Sequence, residues 1–179
     1  MSASIDPGLR QARQAVLDAH SAAETAHDLD GVIATFHHPR YEIVPTGEVF
    51  DGEEAVRRYH GANFAGVPDF TVEPIAAYHG DDAVAEEAWV SGTHLGTYHG
   101  LPPTGRHLRI RVCGIFVFEE DRLVCERVYY DLLTVLRTLG VARDPDSVGG
   151  QITMLLNHPF HIGRTFAREL RRRRRGDAP

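Results

Sequence analysis

Length, composition and charge limit what this chain can be. Its 179 residues, 42% hydrophobic and 25% charged, suffice for one domain with an added segment, and a core of that size has room for a ligand cavity. Residues 141–179 hold eight arginines and four acidic residues, so they carry +4 of the net charge of −6 and the first 140 residues carry −10. An acidic body argues against nucleic acid as a partner.

The chain also lacks the sequence features of export and membrane insertion. The first residues, MSASIDPGLRQAR, have no apolar core of a secretory signal, and no stretch approaches about 18 consecutive apolar residues. We therefore expect a cytoplasmic protein with no membrane partner.

Two cysteines are expected to stay free. If Glu120 and Asp121 form a two-residue hairpin turn, Cys113 lies opposite Val128 rather than opposite Cys125. Both thiols are then small core residues.

The first third of the chain predicts three helices around a short hairpin. Asp6 caps a helix over residues 8–27, and a second short helix follows from Asp28. Residues 41–50 are predicted to form a strand, a turn and a second strand. Asp51 and Glu54 have the spacing of a capping box, which predicts a third helix to about residue 64.

From residue 69 onward the hydrophobic period is that of strands. Four strands are predicted before a helix that begins at Asp131 and ends at Gly140. Helices first and a meander afterwards indicate an α+β fold, a curved antiparallel sheet wrapped around the N-terminal helices. We expect a domain over residues 1–140 and a helical C-terminal extension over 141–179, broken near Pro159 and ending in an arginine run.

Three segments give the chain a family resemblance. GTHLGTYHGLPPTG, the strand GIFVF and the terminal YYDLLTVLRTLG stand in the order and spacing of the SnoaL-like polyketide cyclases, within the nuclear transport factor 2-like superfamily. AHDLDGVIATF and VPTGEVFDGEEAVRRYH extend the resemblance back to about residue 10. Residues 141–179 lie outside it.

The resemblance implies a cone-shaped fold with a deep apolar pocket, two copies paired through the sheet, and no cofactor or metal. It also implies intramolecular aldol ring closure of a polyketide-like, apolar carbonyl substrate. The family's acid/base is an aspartate in the final strand-to-helix segment, which matches Asp131. Limonene-epoxide hydrolases resemble the chain too, but their catalytic acids would fall at Trp89 and Val128. Ketosteroid isomerases would need a tyrosine near His20 and acids near Val44 and Gly114.

Two roles for Asp131 remain open at this stage. A catalytic aspartate needs an apolar surrounding that raises its pKa above the ordinary value of about 3.9. A helix cap needs only an exposed carboxylate, and aspartate is among the best capping residues. Both roles fit the sequence.

Further residues complete the predicted pocket. His94 borders its mouth, where it can orient a carbonyl or polarise an enolate oxygen. Glu87 and Glu126 are candidates for a second pocket acid, although a solvated outer face is favoured for both. Arg109 and Arg111 are expected on a solvent-facing or dimer-facing surface of the sheet. The residues expected to contact substrate are Tyr41, Trp89, His107, Phe116 and Tyr129.

The remaining histidines do not predict a metal site. His37 with His38, and His158 with His161, lack carboxylate or cysteine partners at ligand spacing. The sequence therefore predicts a cofactor-independent cyclase or isomerase with Asp131 as general acid/base. A non-catalytic binding module of the same fold and an epoxide or ester hydrolase are the alternatives.

Overall fold

The computed structural model describes residues 5–98 and 100–157, and singly Arg164, Arg168 and Arg171. The chain divides into two compact units, one ending at Leu139 and the other beginning at Gly140. The described elements are α1 (Pro7–Thr25), α2 (Leu29–Ala34), β1 (Arg40–Ile43), β2 (Glu48–Asp51), α3 (Glu53–Gly66), β3 (Thr71–His79), β4 (Ala83–Thr93), β5 (His107–Glu119), β6 (Arg122–Tyr130), α4 (Leu132–Thr138) and α5 (Val148–Asn157).

Helix α1 begins where the sequence predicts and is tied to the sheet by a buried arginine. The Asp6 carboxylate accepts the backbone N–H of Leu9 at 3.0 Å, which caps the first turn. Arg13, 2% exposed, donates to the carbonyl oxygens of Glu120 at 2.7 Å and Asp81 at 3.1 Å. Its charge thereby holds the helix against two strand turns.

Helix α3 starts differently from the prediction. Its N-cap is Gly52, with φ of 83°, and no side chain caps the helix, so the predicted capping box of Asp51 and Glu54 is wrong. Asp51 instead ends β2, where it accepts hydrogen bonds from Arg40 at 2.6 Å and pairs with His38. A carboxylate engaged by these two side chains is not available to the helix.

The sheet has six strands in the order β2-β1-β6-β5-β4-β3. All neighbouring pairs are antiparallel except β1 and β6, which run parallel. The predicted α+β class with a curved sheet and N-terminal helices is confirmed, with this one parallel pair as a refinement. The buried cluster on the inner face unites α1, α2 and α3 with the sheet; it includes Leu17, Val32, Val56, Val84 and Leu123.

A β-bulge in β6 decides which side chains face that cluster. Next to the turn the register follows the predicted hairpin, because Phe118 pairs with Leu123. Beyond it Val117 pairs with Cys125, so Val124 is one extra residue. Cys113 therefore faces Tyr129, and the predicted pairing with Val128 is wrong by one position.

The two C-terminal helices are short. Asp131 caps α4, and Gly140 follows it with φ of 78°, as the sequence predicts. Helix α5 lies in the second unit; the predicted break near Pro159 falls outside the described residues. Across the described part of the chain, no helix combines the length and apolar character needed to cross a bilayer.

Candidate active site

Asp131 does not lie in the environment that we expected of a catalytic acid. It is exposed, and its Oδ1 accepts the backbone N–H groups of Leu133 at 2.9 Å and Thr134 at 3.2 Å. The hydroxyl of Thr134 donates to Oδ2 at 2.5 Å. The Thr134 hydroxyl bond and the backbone bonds hold the pKa of Asp131 below its ordinary value. The expected apolar enclosure and raised pKa are wrong, whereas the capping role is observed.

Three predicted substrate contacts lie on the outer face of the sheet instead of in an inner pocket. Trp89 packs under two guanidinium groups. The guanidinium carbon of Arg109 lies 4.1 Å from the centre of the Trp89 ring, and that of Arg111 lies 5.0 Å from it. His107 is exposed, and its Nδ1 lies 3.2 Å from the Thr93 hydroxyl. Tyr129 is 39% exposed. The outer-face expectation for Arg109 and Arg111 is correct.

The outer face carries an open depression of about 590 Å³. Its lining includes Tyr129, Asp131 and the ion pair of Arg111 with Glu87, whose closest atoms are 2.7 Å apart. Two of the predicted site residues therefore meet here, but at a surface exposed to water.

Tyr41 and Phe116 do face the interior, where they surround a buried histidine. His20 on α1 is fully buried, and its ring centre lies 5.8 Å from that of Phe116. The His20 Nε2 atom lies 2.6 Å from the Tyr41 hydroxyl. On the other side of the ring, Nδ1 lies 2.7 Å from Thr35 Oγ1.

The hydrogen-bond partners of His20 determine which of its ring nitrogens carry a proton. The Thr35 hydroxyl donates to the Val32 carbonyl oxygen at 2.6 Å, so it must accept from His20 Nδ1–H. Two carboxylates lie near the opposite nitrogen: Glu24 Oε1 at 3.5 Å and Glu126 Oε2 at 3.3 Å. With a positive charge on His20, Nε2–H donates to Tyr41, whose hydroxyl donates on to Glu24 Oε1 at 3.3 Å.

The two carboxylates differ in their electrostatic state. Burial by itself would lower the pKa of His20, but the charges and hydrogen bonds of Glu24 and Glu126 raise it to about 10. Burial favours protonation of both glutamates, yet the adjacent His20 keeps the pKa of Glu24 lowered. The pKa of Glu126 is raised, because burial and the charge of Glu24 outweigh the contribution of His20.

Glu126 also has an uncommitted oxygen. The residue is 6% exposed, and its Oε2 makes no hydrogen bond among the described residues, although it is within ion-pair distance of His20. The missing side chain of Gly114 leaves space for it, since a Cβ there would lie 3.3 Å from Glu126 Oε1. A buried acid with a raised pKa and a free acceptor atom is suited to exchanging a proton.

A second interior acid lies on β4. Glu86 is 4% exposed, and burial, with the charges of Glu126 and Asp18, raises its pKa to about 7. The hydroxyl of Ser21 lies at the limit of hydrogen bonding from Glu86, at 3.5 Å. The prediction of a solvated outer face is correct for Glu87 but wrong for Glu126.

The neutral His60 closes the cluster toward α3. Its Nδ1 lies 3.8 Å from Glu24 Oε1, and burial lowers its pKa to about 4 despite that carboxylate. His60 therefore remains uncharged at neutral pH, and the positive charge of the cluster stays on His20.

His94 occupies a separate buried position at the end of β4. The backbone N–H of Thr104 donates to its Nδ1 at 3.3 Å, so the proton of the neutral ring is on Nε2. That atom is buried without a hydrogen-bond partner among the described residues, and the ring meets Tyr98 edge-on at 6.4 Å. His94 thus offers a donor, as predicted for an oxygen-orienting group; its catalytic role stays a prediction. The neighbouring His99 lies outside the described residues.

His20, Glu24 and Glu126 are also the residues that could hold a metal ion. Their ligand atoms lie within 4.8 Å of one another in the described part of the chain. However, the Tyr41 hydroxyl at 2.6 Å already occupies the Nε2 direction, and a protonated His20 accounts for these short contacts. The cofactor-free expectation stays a prediction.

The interior network was not predicted from the sequence, for identifiable reasons. The residues that were not placed in the site are His20, Glu24, His60, Glu86 and Glu126. The positions of His20 and Glu24 at i and i+4 on an amphipathic helix were a usable signal for a shared helix face. No comparable signal reveals Glu126, because its face depends on the bulge.

Comparisons with known proteins agree with this architecture. The profile of the SnoaL-like polyketide cyclase family matches residues 14–139. A Jannaschia sp. CCS1 protein described as a SnoaL-like polyketide cyclase is 19% identical with a TM-score of 0.70; the match covers 80% of this chain and all of that one. IdmH from Streptomyces antibioticus, described as a polyketide cyclase, is 22% identical with a TM-score of 0.61, covering 72% and 99%.

A third similar structure carries a mixed description. The epoxide hydrolase/cyclase-like enzyme SalBIII, connected with pyran ring formation in the polyether salinomycin, is 21% identical with a TM-score of 0.59, and the match covers 69% of this chain and 93% of SalBIII. A comparison with curated proteins gives no match. These structures share the fold with this chain, and the family profile spans most of its length. The chain therefore belongs to the SnoaL-like polyketide cyclase family.

Proposed function

We propose that this protein is a cofactor-independent cyclase or isomerase of polyketide-like carbonyl compounds, with Glu126 as its general acid/base. Family membership supports a cyclase-type function. The observation that carries the assignment to Glu126 is its buried Oε2, which has a neighbouring cation but no hydrogen bond within the described part of the chain. Glu126 takes the role that the sequence assigned to Asp131.

The network supplies what an aldol closure needs. The Glu126 carboxylate removes a proton from the carbon next to a carbonyl, and the resulting enolate carbon bonds to a second carbonyl carbon. The oxygen of that carbonyl becomes an alkoxide and takes the proton back from Glu126, so the product is an isomer of the substrate. A raised pKa makes Glu126 a stronger base than an exposed acid, and the His20 charge stabilises its ionised form.

The test compares two carboxylates with matched substitutions. Glu126→Gln and Asp131→Asn each replace one oxygen by an NH₂ group and keep the side-chain shape. The probes are 5-nitrobenzisoxazole, whose ring opens when one C–H proton is removed, and a linear aromatic polyketide ester, whose cyclised isomer has the same mass and is separated from it by liquid chromatography. We expect Glu126→Gln to lose at least about 100-fold in rate and Asp131→Asn to stay within about twofold. Equal rates for wild type and Glu126→Gln would contradict the proposal.

A second location for the same reaction is the outer depression, since Asp131 and Tyr129 both line it. Its openness to water and the lowered pKa of Asp131 make it the weaker candidate. The reverse result, loss of rate with Asp131→Asn alone, would favour this location.

The two alternative functions, a binding module and a hydrolase, predict different experimental results. A binding module would retain an aromatic probe such as 2-naphthol without chemical change to any carbonyl substrate. An epoxide or ester hydrolase would incorporate oxygen from labelled water, whereas an aldol closure incorporates none. His94→Gln tests the oxygen-orienting role: a fall in rate with unchanged probe affinity is the expected result.

Pairing of two copies through the sheet and a cytoplasmic location remain part of the proposal. The outer face, with Trp89, Tyr129 and paired arginines, is the surface that such a dimer would bury. Sedimentation equilibrium of the full chain measures the mass, and a monomer at all concentrations would contradict the dimer.

A further inference from the structure

Helix α5 carries an uncovered apolar face. Val148, Ile152, Leu155 and Leu156 are 74, 52, 44 and 74% exposed, and their spacing of i, i+4, i+7 and i+8 puts them on one side of the helix. The sequence of α5, VGGQITMLLN, contains no charged residue. Such a continuous exposed stripe favours an apolar partner.

Positive charge follows this helix along the chain. Arg164, Arg168 and Arg171 are helical and exposed. The sequence continues with four more arginines, at positions 172–175.

We propose that α5 and the arginines after it bind the surface of an anionic lipid bilayer. An apolar helix face that is followed along the sequence by a cluster of arginines matches the acyl boundary and the phosphate layer of such a surface. At ten residues α5 is about 15 Å long, half of the roughly 30 Å hydrocarbon core, so it lies along the surface and does not span it. This binding is independent of the chemistry in the sheet, and it departs from the expectation of no membrane partner, which considered only membrane-spanning segments.

The observations favour lipid over two other partners. Nucleic acid would match the arginines but offers little to the stripe of Ile152 and Leu156. The acidic unit of a second copy is also charge-complementary, although part of its acidic surface, such as Glu73 and Glu87, is already paired with Arg109 and Arg111. A bilayer with anionic headgroups satisfies both features at once.

The test is co-sedimentation of the full chain with vesicles. One set contains phosphatidylcholine alone and the other contains added phosphatidylglycerol, each at low and high salt. We expect binding only with phosphatidylglycerol, weakened by salt. Replacing Arg171 to Arg175 by glutamine removes five charges, and each should weaken partitioning about fivefold. The double variant Ile152→Glu, Leu156→Glu should weaken it by at least about tenfold.

The control is Val49→Glu, which changes an equally exposed apolar residue, 51% exposed, on β2. It should bind as wild type does, and circular dichroism verifies that every variant is folded. Equal binding to both vesicle types, or no binding, would overturn the proposal. Binding to a DNA duplex that depends on the arginines but not on Ile152 and Leu156 would also overturn it. So would a molecular mass that doubles as the protein concentration rises, but only in variants that keep the apolar face of α5.

Discussion

The inner face of β6 and the residue that directly follows this strand each carry a carboxyl group, and the pKa values of the two groups are shifted in opposite directions. Glu126 points inward, where burial raises its pKa, while Asp131 points outward, where the cap of α4 lowers its pKa. Only five positions separate them along the chain. What an acid can do here depends on the face it occupies, and the extra residue Val124 determines that face.

Shifting the register beyond the bulge breaks this comparison most severely. Insertion of one alanine directly before Glu126 would move every later residue of β6 by one position and exchange the two faces. Arg127 and Tyr129 would then point inward in place of Glu126 and Val128. We expect loss of cooperative unfolding, or a drop in unfolding free energy above about 4 kcal/mol, measured by chemical denaturation. Deletion of Val124 removes only the extra residue and keeps the observed pairs, so that variant should remain cooperatively folded; a stable insertion variant would contradict the dependence on register.

Removing the positive charge of His20 should lower the free energy of unfolding by an amount that depends on pH. His20→Gln leaves Glu24 and Glu126 together without a charge between them, at a cost of about 3 kcal/mol. Because the pKa of His20 rises from 6.5 to about 10 on folding, its stabilisation is complete below pH 6.5 and disappears as the pH rises toward 10.

The gap in unfolding free energy between wild type and His20→Gln should therefore narrow from pH 6.5 to 10. Glu24 contributes above its ordinary pKa of 4.5, so the gap also narrows at acid pH. The matched control is His38→Gln on the outside, whose pair with Asp51 is exposed; it should change little. A gap that widens toward pH 10 would refute the charge assigned to His20.

The absence of a side chain at Gly114 should be required for the packing of Phe116 and Glu126 on the inner face. In Gly114→Ala the new Cβ would lie 2.7 Å from the Phe116 ring and 3.3 Å from Glu126 Oε1. We expect a loss of about 1–3 kcal/mol and a weaker general base. Gly61→Ala in α3 has open space and should gain about 0.5–1 kcal/mol instead. Thermal unfolding of both variants decides whether the packing is as tight as described.

The smallest effect belongs to the outer acid. Asp131→Ala removes the cap of α4 and should lower stability slightly, whereas Asp131→Asn retains a capping oxygen and should match wild type. Unfolding midpoints and probe turnover are the measurements. A loss of turnover in Asp131→Asn with unchanged stability would return the catalytic role to this residue.

The fold was predictable from sequence because its signals are local and repeated. Asp6, Asp28 and Asp131 are caps, and the helix and strand periods follow hydrophobic spacing that local structure dictates. The short turn at Glu120 and Asp121 was also correct.

The candidate site was predictable only in part, because strand faces follow register. One extra residue reverses every later side chain of β6, so a hairpin register without it would put Tyr129 inside and Glu126 outside. Asp131 was expected inside because of the family resemblance. Tyr41 and Phe116 were placed correctly since they precede or lie opposite the bulge in strands of regular alternation. Trp89 and His107 were expected in the pocket but lie on the outer face, because the residue type of an aromatic or polar side chain does not indicate which face of a strand it occupies.

Carboxyl titration by ¹³C NMR tests the central claim most directly, with the Glu126 and Asp131 signals assigned from Glu126→Gln and Asp131→Asn. Glu126 should titrate above its ordinary pKa of 4.5 and Asp131 below 3.8. If Glu126 ionised below 4.5 while Asp131 titrated above 3.8, the acid poised for proton transfer would be on the outer face.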